Sequence, residues 1–187
     1  MKVDLVTLSA YQHLDVGPVG RAVARFALQR PIRVQILPFN VPWAGAWWFG
    51  LIIFPRAFRT LPISVTTPWL AHEITHQMQS QTRGTRTPLR GTLYRELEAD
   101  IVRWAVRYEM AEAERDLNAL EQARQMLQIF TGDQEAAIET IRHNHWVYRT
   151  PLYLWQEPEA EAAGWRQTLP ELGFGPDITS IIERYVA

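Results

Sequence analysis

One five-residue stretch, His72-Glu73-Ile74-Thr75-His76, decides how this chain is interpreted. On an α-helix, residues four positions apart lie about 40° apart around the axis, so His72 and His76 share one face, one turn apart. Two neutral imidazoles at this spacing can bind the same zinc ion. Glu73 lies about 100° round the helix, where it is better placed to take a proton from a metal-bound water than to bind the metal. The alternative interpretation is an ordinary polar helix face.

The flanking residues predict that this stretch is helical. Thr67 followed by Pro68 is typical of an N-cap and a first helical position. The stripe predicted to be buried consists of Trp69, Leu70, Ile74 and Met78. The polar residues expected to face away, or to lie near the helix end, are Gln77, Gln79, Ser80 and Gln81. The helix is predicted to end before Gly84, where a Gly- and Pro-containing loop begins.

A third ligand is expected on the next helix, because a catalytic zinc usually has three protein ligands and leaves the fourth position to water. That helix is predicted to begin near Thr92 and carries Glu96 and Asp100, which share one face, whereas Glu98 points roughly opposite to Glu96. On an antiparallel neighbour, Glu96 lies at about the height of His76. Asp100, one turn further, could accept the second ring N–H of a ligating histidine. The competing interpretation is a solvated charged helix face.

His72-Glu73-x-x-His76 followed by Glu96-x-x-x-Asp100 resembles the gluzincin metallopeptidases. The phrases ELEAD and LAHEITHQMQ are similar to minimal gluzincins and to compact bacterial zincin domains. The resemblance implies that His72, His76 and Glu96 bind one Zn²⁺ per chain. It also implies that Glu73 is the general base and that Asp100 is the partner of a ligating histidine.

The match covers residues 69–103, about a fifth of the chain. Metzincins are disfavoured because no third histidine follows the motif at close spacing, and the next one is His143. Many gluzincins stabilise the oxyanion with a His or Tyr from the C-terminal part, and His143, His145 and Tyr148 are the catalytic candidates for this role by resemblance. If helical, the two histidines point about 200° apart, so at most one faces the metal. The alternative is that they are interhelical or surface histidines.

The N-terminal part is predicted to contain strands at residues 3–8, 32–37 and 47–54, with a helix at 17–29. Residues 63–65 could form a short edge strand. The strand–helix–strand order predicts a parallel pair with a crossover helix. Together with the motif, this predicts an α+β, zincin-like fold with a small mixed sheet. The strand nearest the cleft could hold an extended peptide by edge pairing.

The chain after Glu96 is predicted to be almost wholly helical. Residues 92–131 form either one long helix or two helices with a bend near Glu112. Asp133 can cap a further helix, and the last helix is predicted at residues 178–186.

Length and composition predict one domain over residues 1–187, because 47% apolar content is enough for a hydrophobic core. We expect a sheet-rich part at about 1–66, the metal-site helices at 67–110 and a helical part at 111–187. The net charge of −1 gives no argument for nucleic acid or an anionic membrane. The absence of cysteine excludes disulfides and thiolate chemistry.

The N-terminus lacks the apolar region of a signal peptide, which predicts a cytoplasmic protein. The uncharged segment at residues 41–54 is interrupted by prolines: only twelve residues separate Pro42 from Pro55, against about twenty for a spanning helix. It is therefore predicted to be a buried strand, with an interfacial membrane role as the alternative.

The sequence thus predicts a zinc metalloendopeptidase that acts on a peptide or protein substrate. One alternative is a zincin-like regulatory or sensor protein that cuts or merely binds one partner. The other is a non-catalytic domain with a structural zinc, which a fourth protein ligand such as His143 would favour. Neither the substrate nor the oligomeric state is predicted.

Overall fold

The computed structural model describes residues 5–30, 32–40, 45–47, 50–83, 92–144 and 164–187. Within them the protein is mostly helical, with one small sheet, and belongs broadly to the α+β class. The helices are α1 (Leu5–Gln12), α2 (Pro18–Gln29), α3 (Ile63–Arg83), α4 (Thr92–Glu114), α5 (Leu117–Thr131), α6 (Gln134–Asn144), α7 (Gly164–Leu169) and α8 (Ile178–Val186). Short 3₁₀ segments span His13–Val16 and Arg56–Thr60, and a π-helical turn spans Pro170–Phe174. No helix in these ranges is long and apolar enough to cross a membrane.

The sheet consists of β1 (Arg33–Ile36), β2 (Gly45–Trp47) and β3 (Leu51–Phe54) in the order β1-β3-β2. β1 is parallel to β3, and β2 is antiparallel to it. The prediction of one strand over residues 47–54 is wrong, because the chain reverses between Trp47 and Leu51. Gly50 adopts φ 77° there, a conformation that only glycine adopts at little cost. The strand predicted at residues 32–37 is confirmed as β1.

The strand predicted at residues 3–8 is wrong over its described part, because α1 begins at Leu5; residues 3–4 lie outside the described ranges. A short apolar run does not distinguish a strand from a buried helix, and packing against α3 decides for the helix. The predicted strand–helix–strand start is therefore also wrong. Residues 63–65 form the first turn of α3 instead of an edge strand, with the N–H groups of Val65 and Thr66 donating to the Pro62 carbonyl.

The predicted start of the motif helix at Thr67 and Pro68 is wrong as well, because α3 begins at Ile63 and contains Pro68 in its interior. A proline there removes one helical hydrogen bond, so other contacts must offset its cost. Thr67 is fully buried and donates to the Ala10 carbonyl of α1 at 3.4 Å, so it joins two helices instead of capping one. The end of α3 at Arg83 agrees with the prediction.

Two of the C-terminal helices, α5 and α6, begin at an aspartate that caps them. α4 and α5 are separate helices, with Arg115 at φ 58° between them and the Asp116 carboxylate accepting from the Ala119 N–H at 3.0 Å. The two-helix alternative for residues 92–131 is therefore correct. Asp133 caps α6 by accepting from the N–H groups of Glu135 and Ala136. The last predicted helix is confirmed as α8.

A buried carboxylate, Glu109 of α4, joins three helices. It accepts hydrogen bonds from the N–H groups of Val19 at 2.7 Å and Gly20 at 2.9 Å, which are unpaired within the first turn of α2. The Tyr185 hydroxyl of α8 donates to it at 2.7 Å. Gly17 leaves the space for this carboxylate, since a Cβ there would overlap the Glu109 side chain. The position of α2 against α4 therefore depends on one acidic side chain.

Candidate metal centre

The two motif histidines and one carboxylate converge between α3 and α4. The Nε2 atoms of His72 and His76 lie 3.1 Å apart. Glu96, one turn into α4, brings Oε2 to 3.2 Å from Nε2 of His72 and Oε1 to 3.3 Å from Nε2 of His76. Among the described residues, these three form the one group of His, Asp and Glu side chains that could hold a metal ion.

The spacing of these donor atoms suits a tetrahedral zinc ion. With metal–ligand bonds of about 2.0–2.1 Å, two ligands of a tetrahedral ion lie about 3.3 Å apart. The two imidazole nitrogens, 3.1 Å apart, are close to this value, and each of them has one oxygen of the Glu96 carboxylate at 3.2 or 3.3 Å. Two imidazole nitrogens and one carboxylate oxygen are also a donor set that zinc binds in catalytic sites. The residues present therefore fit the metal that the sequence predicts.

Exposure differs among the three side chains. The exposed fraction is 3% for His72, 11% for Glu96 and 19% for His76. Solvent therefore reaches the group mainly from the His76 side, and His72 lies at its inner end. Glu73 is buried on α3 between the two histidines in sequence, and its charge contributes to raising the pKa of His76.

His72 has a charged partner behind it. Its Nδ1 lies 3.2 Å from Oδ1 of Asp100, which is where the sequence placed Asp100. The guanidinium of Arg103 donates to the same Oδ1 at 3.3 Å. A carboxylate on Nδ1 favours the tautomer in which Nε2 is free for a metal. Arg103 was not among the residues singled out from the sequence.

His76 has a neutral partner, which the sequence did not predict. Its Nδ1 lies 2.9 Å from Oε1 of Gln79, and Nε2 of Gln79 donates at 2.8 Å to both Oε2 of Glu98 and the Arg95 carbonyl. The expectation that Gln79 faces away is wrong, because this side chain is fully buried between α3 and α4. Its position three residues after His76 was the available signal, since such residues are neighbours on a helix.

The other polar residues near the end of α3 differ in their burial. Gln77 is buried and its Nε2 lies 3.5 Å from the Leu51 carbonyl of β3, so its predicted outward position is also wrong. Ser80 is half-buried and Gln81 is exposed, in agreement with their expected place near the helix end. The small sheet thus meets α3 one residue beyond the second histidine.

The charges of the group favour a cation at its centre. Burial by itself lowers the pKa of His72, but the carboxylates of Asp100 and Glu96 outweigh it and raise that pKa to about 10. Burial likewise opposes the positive charge of His76, and Glu96 raises its pKa. Burial would raise the pKa of Glu96, but the two imidazoles hold it well below its usual range. The carboxylates beside the two imidazoles therefore favour a positive charge at the centre of the group.

The candidates for oxyanion stabilisation are not brought to the group by the described structure. His143 lies on the exposed side of α6 and is not part of the metal-binding group. His145 and Tyr148 lie outside the described residues. Their catalytic role stays a prediction from the resemblance.

No protein-family model, curated protein or solved structure matches this chain. The residues and geometry of the candidate metal centre are therefore the features that indicate a function.

Proposed function

We propose that this protein is a zinc-dependent metallopeptidase with a gluzincin-like site in a zincin-like fold. The observation that supports the proposal is the convergence of His72, His76 and Glu96, whose nitrogen and oxygen atoms lie close enough together to hold one metal ion. The buried carboxylate of Glu73 on the same helix supplies the base that this chemistry requires.

These four residues and two supporting side chains have separate roles. His72, His76 and Glu96 would hold the zinc, with Asp100 and Gln79 orienting the two imidazoles from behind. A bound zinc supplies Lewis acidity, which lowers the pKa of water towards 7 and polarises a carbonyl. Glu73 would accept the proton of the attacking water and pass it to the leaving amine.

The substrate is proposed to be an extended peptide or an unfolded protein. β2 is an edge strand of the described sheet and contacts α3, which carries both histidines. An edge strand can pair with an extended chain through main-chain hydrogen bonds, which gives binding with loose sequence preference.

The first test is metal content. Mass spectrometry is expected to find one zinc in the metal-loaded wild type and strongly reduced zinc in His72→Ala, His76→Ala and Glu96→Ala. Glu139→Gln is the matched control, because Glu139 is an exposed carboxylate on α6 that pairs only with Arg142 among the contacts described. Full zinc in all three ligand variants, or none in the wild type, would overturn the proposal.

The second test separates catalysis from binding. Glu73→Gln is expected to keep the fold and the zinc but to lose hydrolysis of an unfolded protein such as casein, because an amide cannot take a proton at neutral pH. The loss should appear in kcat instead of in peptide affinity, and a chelator should abolish wild-type activity. Hydrolysis at the wild-type rate by Glu73→Gln would exclude this mechanism. A zinc-loaded wild type that cleaves no peptide would favour the sensor or structural-zinc alternatives.

A further inference from the structure

We infer that Arg103 is a positioning residue of the metal centre, which holds Asp100 against His72 and is itself held by the indole ring of Trp69. This inference rests on the proposed zinc site. It assigns a role to two side chains that neither the motif nor its resemblance includes.

The contacts form a closed loop between α3 and α4. Arg103 donates from Nη1 to Oδ1 of Asp100 at 3.3 Å, and the same oxygen lies 3.2 Å from Nδ1 of His72. The guanidinium carbon of Arg103 lies 3.9 Å from the centroid of the Trp69 ring. Trp69 in turn contacts His72, with the two ring centroids 5.5 Å apart in an edge-to-face arrangement, and this contact closes the loop. Each helix therefore contributes two neighbouring members of the loop.

The loop addresses a physical difficulty of a buried carboxylate. Asp100 is almost fully buried, and a charge taken out of water is tolerated only when it is paired and hydrogen-bonded. Arg103 supplies both the opposite charge and the hydrogen bond. An arginine side chain is long and flexible, but stacking on an aromatic ring restricts it. A second ring, Trp104, lies 5.1 Å from the same guanidinium carbon and restricts it further.

The arrangement is specific to one of the two histidines. His76 is supported by the neutral amide of Gln79, and the described contacts of that amide go to Glu98 and the Arg95 carbonyl. Among the contacts described, Arg103 therefore reaches the metal-binding side chains only at His72, and Asp100 is the charged link between the two. This gives the inference a sharp consequence: the effect of Arg103 on metal binding should disappear when Asp100 no longer carries a charge.

The experiment is a double-mutant cycle on zinc affinity, measured by competition with a chromogenic chelator. Arg103→Gln is expected to weaken zinc binding about tenfold in the wild-type background, at the lower end of what loss of an orienting partner costs. In the Asp100→Asn background the same substitution should change affinity by less than about twofold, because coupled residues are not additive. Arg103→Lys should keep part of the zinc affinity. Lysine retains the positive charge, but it lacks the planar guanidinium that donates several hydrogen bonds and stacks on the Trp69 ring.

Two controls separate positioning from a general loss of structure. Arg166→Gln removes an exposed arginine of α7 that, like Arg103, pairs with a carboxylate (Glu183, at 2.8 Å) and lies over an indole ring (Trp165, at 4.7 Å), and it should leave zinc affinity unchanged. The visible d–d bands of the cobalt-loaded protein report the ligand geometry directly. We expect Arg103→Gln and Asp100→Asn to shift these bands in the same direction. If Arg103→Gln does not fold, Arg103→Lys takes its place, and its bands should shift in that direction by less than those of Asp100→Asn.

The outcomes are distinguishable. A wild type that binds no zinc overturns the proposed function and this inference together. A wild type that binds zinc, with Arg103→Gln and Arg103→Lys both within twofold of it, overturns the inference alone. An equal loss from Arg103→Gln in both backgrounds also overturns it, because a purely structural arginine would act independently of Asp100.

Discussion

Replacing Glu109 with glutamine is expected to destabilise the protein by about 2–3 kcal/mol, although the substitution changes only one atom of the side chain. Oε1 accepts from the Val19 N–H and the Tyr185 hydroxyl, and Oε2 accepts from the Gly20 N–H. A glutamine can keep the first two bonds through its carbonyl oxygen. Its amide nitrogen would then face the Gly20 N–H, so that two donors oppose each other.

The magnitude follows from the bond that is lost. A hydrogen bond to a charged group contributes about 1.5–3 kcal/mol, and a buried donor left unpaired costs about 1–3 kcal/mol. Removing the buried charge offsets part of this loss, because a carboxylate is costly to desolvate. Tyr185→Phe removes one hydrogen bond to this carboxylate but leaves no buried donor unpaired, so it should cost about 1.5 kcal/mol, the lower end of that range.

Urea unfolding followed by far-UV circular dichroism at pH 7 measures the difference. The midpoint should fall with the slope unchanged, and the melting temperature should fall by about 4–12 °C for a chain of this size. Glu139→Gln, the same substitution at an exposed carboxylate, should stay within about 0.5 kcal/mol of the wild type. If Glu109→Gln is as stable as Glu139→Gln, the carboxylate does not anchor α2 and the reasoning fails.

Three further outcomes test the remaining features. Asp100→Asn should weaken zinc binding about ten- to a hundredfold without abolishing it, and a crystal structure with an Asp100 oxygen bonded to zinc would contradict the assigned role. Gln79→Leu should weaken zinc binding about tenfold by releasing His76, and unchanged chelator competition would refute this. Burial raises the pKa of Glu109 above its ordinary value near 4.5, despite the opposing hydrogen bonds. Its protonation therefore contributes stability that is fully present below about pH 4.5 and is lost as the pH rises through the raised pKa. Urea titrations from pH 4 to 8 should thus show the gap between wild type and Glu109→Gln narrowing with rising pH, and a constant gap would contradict the shift.

Features that depend on neighbours within one helical turn were determined by the sequence itself. His72 and His76 share a face because four residues make about one turn, and this holds wherever the helix begins. The helix did begin four residues before the predicted Thr67 N-cap, and the face was unaffected. Asp133 caps α6 by accepting from N–H groups two and three residues ahead, which is also a local interaction.

Features that depend on distant parts of the chain were decided only by the tertiary structure. The segment beginning at Leu5 has an apolar pattern that suits a strand or a helix, and contact with α3 selects the helix. From the sequence, Gln79 and Glu98 look like ordinary polar surface residues. The packing of α3 against α4 buries both and brings them into hydrogen-bond contact. From the sequence, Arg103 looks like a solvent-facing arginine, and only the tertiary structure shows that its guanidinium stacks on the Trp69 ring.

Glu109 shows most clearly which contacts cannot be predicted from sequence patterns. Its partners Val19 and Gly20 precede it by 90 and 89 residues, and Tyr185 follows it by 76. No periodicity of a helix or a strand links positions so far apart, because such patterns describe only the neighbours along one element. A buried carboxylate at this point is stable only where the fold brings backbone N–H groups to it, and that meeting is a property of the packed chain. The sequence by itself therefore determined which side chains could bind a metal, whereas tertiary packing decided what holds those side chains, and the helices that carry them, in place.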